Sequence, residues 1–80
     1  MSIGLRVKLV YPADLITVPV IARLAKDFDV LANIRRAAVD GDTGWIVCEL
    51  EGSNDDIKRS LEWLTQLGVS VERLSDVVES

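Results

Sequence analysis

Apolar and polar side chains alternate along Leu5–Tyr11, LRVKLVY. Leu5, Val7, Leu9 and Tyr11 fall on one side, and Arg6, Lys8 and Val10 on the other. A period of two is the repeat of a strand covered by a core on one face. Pro12 cannot donate to a ladder and ends the strand. Ala13–Val18 reads as a loop. From Pro19 the period changes: Val20, Ile21, Leu24 and Phe28 recur at helical spacing, while Arg23, Lys26 and Asp27 fall elsewhere. This predicts a helix over Pro19–Phe28, opened by a proline whose missing N–H costs nothing in a first turn.

The middle of the chain, Leu31–Gly52, reads as one β-hairpin with arms Leu31–Val39 and Gly44–Leu50. Asp40-Gly41-Asp42 supplies the turn, because glycine takes a positive φ without a Cβ clash and Asp tolerates one. Thr43 and Gly44 are candidates to lengthen this loop. In the second arm Gly44, Ile46, Cys48 and Leu50 share one face, and Trp45, Val47, Glu49 and Glu51 the other. One apolar and one mixed face predict a sheet covered on a single side. Beyond it, Ser53 or Asn54 caps a second helix, with Asp55 and Asp56 at its positive end. Ile57, Leu61 and Leu64 form its buried stripe, Ser60 sits where packing is too close for a large side chain, and Trp63 and Leu67 flank the stripe. Gly68 ends it. Val69–Leu74 alternates as a short last strand, and Ser75–Ser80 is expected as a flexible tail whose Val77-Val78 is able to dock on a partner.

The order β-α-β-β-α-β predicts an α+β, ferredoxin-like fold in one domain spanning residues 1–80. Two right-handed crossovers put both helices on one face of a four-stranded antiparallel sheet, with spatial order fourth, first, third, second. The uncovered face then shows Arg6, Lys8, Val10, Asn33, Arg35, Trp45, Val47 and Glu49.

Composition narrows the function by exclusion. In 80 residues, 49% apolar and 28% charged, the core is small. Such cores supply only ~3–5 kcal/mol, so association with another chain is expected. A net charge of -4 argues against non-specific nucleic-acid binding, and Glu49 and Glu51 on the open side repel phosphate. There is no His, which removes His-activated nucleophiles and His metal sites. The single Cys48 forms no internal disulfide and belongs to the core face, as an inert thiol. The pairs Asp27/Asp29 and Asp55/Asp56 are explained by a solvated loop and a helix N-terminus. The glycines stand singly and build no phosphate-cradling loop. No catalytic residue, metal site or cofactor is therefore expected, nor enzymatic activity. The start MSIGLRVKLVYP lacks a long apolar stretch, and no run approaches the ~20 apolar residues needed to span a bilayer. A cytoplasmic protein without membrane insertion is the expectation. Trp45 leaves three readings open: packing on the stems of Lys8 and Arg35, contact with a partner or ligand, or contact with nucleic acid.

The chain also resembles the NIL domain family, named for an Asn-Ile-Leu tripeptide on the second strand. The tripeptide position is Asn33-Ile34-Arg35. The likeness extends over the first-strand LVYP, the Pro19-Val-Ile-Ala-Arg-Leu helix start, Phe28 and Val30, Gly44 and Ile46, Glu49-Leu50-Glu51-Gly52, and Leu67-Gly68-Val69-Ser70-Val71-Glu72. The resemblance implies a ferredoxin-like fold related to ACT domains. It also implies a regulatory role: in methionine ABC importers two copies of the domain meet, methionine binds at their junction, and transport is inhibited. Carried over, it implies a homodimer with an amino-acid site at the junction, acting on a transporter or metabolic-enzyme partner. Asn33 then hydrogen-bonds the ligand, Ile34 anchors the strand in the core, and Arg35, replacing Leu, pairs with a carboxylate. The alternative is a ligand-free interaction subunit docking through Trp45, Val47 and Val10.

Overall fold

The elements follow in the order β1 (Ile3–Pro12), α1 (Val20–Phe28), β2 (Leu31–Asp40), β3 (Thr43–Gly52), α2 (Asn54–Leu67) and β4 (Ser70–Val77). The computed structural model describes residues 3–12 and 19–77. The expected loop Ala13–Val18 and the end of the expected tail, 78–80, lie outside the described residues.

The strands form one antiparallel sheet in the order β2-β3-β1-β4, the order the crossovers predict. The alternation of the central strands explains the core. Leu5, Val7 and Leu9 of β1 and Ile46, Cys48 and Leu50 of β3 point to one face and are buried there. Leu24 of α1 and Ile57, Leu61 and Leu64 of α2 close over them, joined by Val30 and Val69. The two helices meet where the rings of Phe28 and Trp63 stand 5.2 Å apart. Ser60 is fully buried. Its hydroxyl donates to the Ile57 carbonyl at 2.7 Å, so its one polar group is satisfied within the helix.

The helix ends are made as the residue types dictate. Ser53 Oγ accepts from the Asp56 N–H at 3.1 Å, and Gly68 closes α2 in the left-handed conformation, at φ 100°. α1 ends differently: Asp29 takes the left-handed role at φ 57°, and the Val30 N–H then reaches the Leu24 carbonyl at 2.9 Å. Aspartate is one of the few residues besides glycine that tolerates this region.

Two expectations about strand limits are corrected. Asp40 pairs with Thr43, so the hairpin loop is Gly41-Asp42 alone, and Thr43 and Gly44 belong to β3. Gly41, at φ 63°, is the residue that makes so tight a loop available. At the other end β4 runs on to Val77: residues 75–77, expected in the tail, pair with Arg6, Leu5 and Gly4. The alternation runs through Leu74 without a sign of it, but the register shifts there. Leu74 is an extra residue between the Arg73–Val7 and Ser75–Arg6 pairs. β2 carries a matching irregularity, with Arg35 extra between the Ile34–Cys48 and Arg36–Val47 pairs. Both outer strands of the sheet are thus bulged.

Candidate functional site: the open face of the sheet

The face away from the helices is laid out by the register. Across β1 and β3, Arg6 stands opposite Glu49, Lys8 opposite Val47 and Val10 opposite Trp45. Across β3 and β2, Glu49 faces Asn33, Val47 faces Arg36 and Trp45 faces Ala38. The expected set of Arg6, Lys8, Val10, Asn33, Arg35, Trp45 and Val47 therefore shares one surface.

Glu49 is its electrostatic centre. One oxygen, Oε1, accepts from Arg6 Nη2 at 2.8 Å and from Arg35 Nε at 2.9 Å, with Arg35 Nη2 also within 2.9 Å as an ion pair. The hydrogen bond from Arg6, then that from Arg35, holds the Glu49 carboxyl below its ordinary pKa, outweighing the desolvation that acts the other way. With its side chain only 12% exposed, this carboxylate is covered by the two guanidiniums, while Arg35 itself remains 61% exposed. Arg6 Nε is buried without a partner. Next to Arg35, Asn33 Nδ2 donates to Glu51 Oε1 at 3.3 Å. Higher on the same face, Lys8 Nζ lies 5.4 Å from the centre of the Trp45 ring, a cation–π contact. Trp45 thus packs on the Lys8 ammonium, whereas Arg35 is drawn to Glu49.

The bulge changes the tripeptide. Asn33 and Arg35 face the open side as expected, but Ile34 does not anchor the strand in the core. Ile34 points to the helix side, where β2 lies outermost, and is 52% exposed. An apolar residue in core register is buried only if something covers it: Ala32 of the same strand packs against the core, whereas Ile34, two residues further along, is left half-covered. The bulge also brings Arg36 to the open face, opposite Val47. In a regular strand Arg36 would share the side of Ile34. A cation in a core-facing position was the one available sign that the register slips. The central role of Glu49 was missed as well, because in a linear pattern it reads only as the polar member of an alternating arm.

Elsewhere the chemistry is quiet. Burial pushes the Cys48 thiol up to about 11. Among the described residues no group of His, Cys, Asp and Glu is placed to hold a metal ion, and no helix is long and apolar enough to cross a membrane.

The NIL domain family pattern matches residues 5–73. The chain belongs to the NIL domain family. It is 28% identical over 72 residues to the methionine import ATP-binding protein MetN of Helicobacter hepaticus (strain ATCC 51449 / 3B1). That match takes in 85% of this chain and 20% of the relative, so the NIL domain seen here corresponds to about a fifth of that protein. Among solved structures, the C-terminal domain of an ABC transporter/ATP-binding protein from Enterococcus faecalis superposes with a TM-score of 0.78 at 22% identity, over 90% of this chain and 84% of that one. The de novo designed protein Foldit4 matches over the full length of both chains with a TM-score of 0.60 at 9% identity. At these identities both likenesses concern the fold.

Proposed function

We propose that this NIL domain is a non-catalytic, ligand-sensing regulatory module. It binds an amino acid, methionine or a closely related metabolite, at the junction of two copies, and biases a transporter or metabolic-enzyme partner in the cytoplasm. The observation that carries this reading is the pairing of Asn33 and Arg35, two hydrogen-bond donors on the open face of β2, both exposed and each held by a carboxylate of β3. A guanidinium has five N–H donors in a planar fork, so Arg35 can keep Glu49 and still take a ligand carboxylate. Asn33 serves the same polar head. The methionine named for the Helicobacter relative supports the choice of ligand. Regulation follows from differential affinity: a ligand that binds one arrangement of two domains better shifts the pair toward it.

The test is a thermal melt against millimolar amino acids, methionine foremost. Ligand at about 100 times Kd adds roughly 2.7 kcal/mol per site, a rise in Tm on the order of 10 °C for a domain of this size. Asn33→Ala should abolish the shift while leaving the unliganded Tm within a few degrees. A flat response to every amino acid would remove the sensing role. The second reading, an interaction subunit, is favoured by the adjacency of Val10, Trp45 and Val47, all half-exposed on neighbouring strands. It predicts that Trp45→Ala releases a protein partner.

A further inference from the structure

At the far edge of the sheet β4 pairs with β1 alone. Among the described residues its outer side therefore keeps unpaired N–H and C=O groups, and such an edge is a template for another strand. Beside this edge, on the helix side, an open groove of about 560 Å³ separates β4 from α2. Its floor is apolar, made by the buried Leu61 and the half-buried Val71.

Topology orients the groove. β3 and β4 both run antiparallel to β1, so they are parallel to each other, and α2, which joins them, runs back against both. Lys58, early in α2, therefore lies toward the Arg73 end of the groove, and Thr65 and Gln66, late in the helix, lie toward Val71. Lys58 and Arg73 are both exposed, and among the described residues neither forms an ion pair. Glu62 is the one carboxylate of the lining, a helical turn away from Lys58 toward the middle of the groove. The end formed by Lys58 and Arg73 is thus cationic. Just past it Leu74 is the extra residue of the bulge. The regular ladder stops there, which leaves Ser70–Arg73 as the edge open to pairing.

We propose that β4 and α2 form a peptide-binding groove, which takes an extended segment of a partner protein as a fifth strand and selects an acidic and an apolar residue two positions apart. The edge supplies main-chain hydrogen bonds that hold any strand, and the groove reads alternate side chains. Every pairing in the sheet is antiparallel, and an antiparallel fifth strand continues it in the slightly more stable form. In that direction the segment meets Arg73 first and Val71 two residues later. Residues directly opposite share a face, so the carboxylate is directed to the Lys58–Arg73 end and the apolar side chain covers Val71 and Leu61. The residue between them falls on the open face opposite the exposed Glu72, where a cation is complementary. The selected pattern is acidic, basic, apolar. This groove lies at the opposite edge of the sheet from Asn33 and Arg35 and does not depend on the ligand-sensing reading.

The probe is the blocked pentapeptide acetyl-Thr-Glu-Lys-Val-Thr-amide. Its control is the isomer acetyl-Thr-Lys-Glu-Val-Thr-amide, which sets Lys against Arg73 and Glu against Glu72. Each is titrated to millimolar concentration into isotope-labelled protein and followed by amide NMR. The first peptide should shift the amides of Ser70–Arg73 and of α2 from Lys58 to Gln66, and should bind roughly threefold or more tighter than the isomer. Arg73→Glu, at an exposed position, should erase most of that preference. Shifts confined to other residues, or no shift with either peptide, overturn the groove as a binding site. Equal affinity for the two isomers, or a preference that Arg73→Glu leaves unchanged, overturns the assigned pattern. Shifts of the same amides as the protein alone is concentrated would mean that a second copy fills the groove, and would overturn the partner segment as its occupant.

Discussion

Arg6 and Arg35 donate to the same oxygen of Glu49, at 2.8 and 2.9 Å. One carboxylate on β3 thereby ties together the strands on either side of it. Because these bonds lower the Glu49 pKa, their contribution to stability is fully present above the unfolded value, near 4.5. It is lost as pH falls through the lower folded value. The fold should therefore lose Tm progressively from about pH 4.5 downward. Glu49→Gln should lower Tm at neutral pH, leaving two guanidiniums facing each other, and should flatten the acid limb of the Tm curve. Some slope should survive, because Asp56 is held low in the same way by Arg59 and by Ser53. Melts of both proteins from neutral pH into the acid range test this. Parallel acid limbs would show that the three-residue cluster contributes nothing.

Gly44 lies directly under the ring of Tyr11, its partner across β1 and β3. A Cβ at Gly44 would stand 2.7 Å from Tyr11 Cε2 and 2.8 Å from Cζ. The ring must move before any side chain fits. Gly44→Ala should cost about 1–3 kcal/mol, the usual range for overpacking. The penalty should shrink sharply when Tyr11 is also replaced by alanine, since the two residues are in contact and their effects are not additive. Urea unfolding of the four proteins of this cycle measures the coupling. Additive losses would mean that Tyr11 does not occupy the space over Gly44.

Most of the fold was legible in the sequence because its signals are local and mutually consistent. The alternation of β1 and β3, the Ser53 cap, the buried stripe of α2 and the Gly68 stop each depend on residues within a few positions of one another. The two bulges were not legible. A bulge is decided by how a strand fits its neighbour, so Arg35 and Leu74 look like ordinary members of an alternating run. The misreading of Ile34 has the same origin. Periodicity says which way a side chain points, and only the width of the helical layer says whether anything covers it. The expected residues of β1 and β3 do share the open face, but the bulge adds Arg36 to it, and its organisation around Glu49 depends on contacts between positions 43 residues apart, which no local pattern contains.

Cys48 adjoins Glu49 in sequence and faces the opposite side of the sheet, with no exposure to solvent. Its thiol pKa is raised by burial from 9.0 to about 11, so the fold favours the neutral form. The linked stability is whole below the unfolded value and is lost as pH rises through the folded one. Two consequences follow. The folded protein should resist thiol-specific reagents at neutral pH and react at once when unfolded, because the nucleophile is the thiolate and here it is both unformed and inaccessible. At alkaline pH the wild type should lose stability faster than Cys48→Ala, although the variant starts about 1–2 kcal/mol lower from the atoms it removes from the core. Other groups also titrate in that range, so the quantity to measure is the difference between the two proteins as pH rises. If that difference stays constant from neutral to alkaline pH, the thiol is not held neutral by the fold. If it closes as pH rises, adjacent residues of one strand set opposite ends of the stability range: Glu49 the acid end from the open face, and Cys48 the alkaline end from the core.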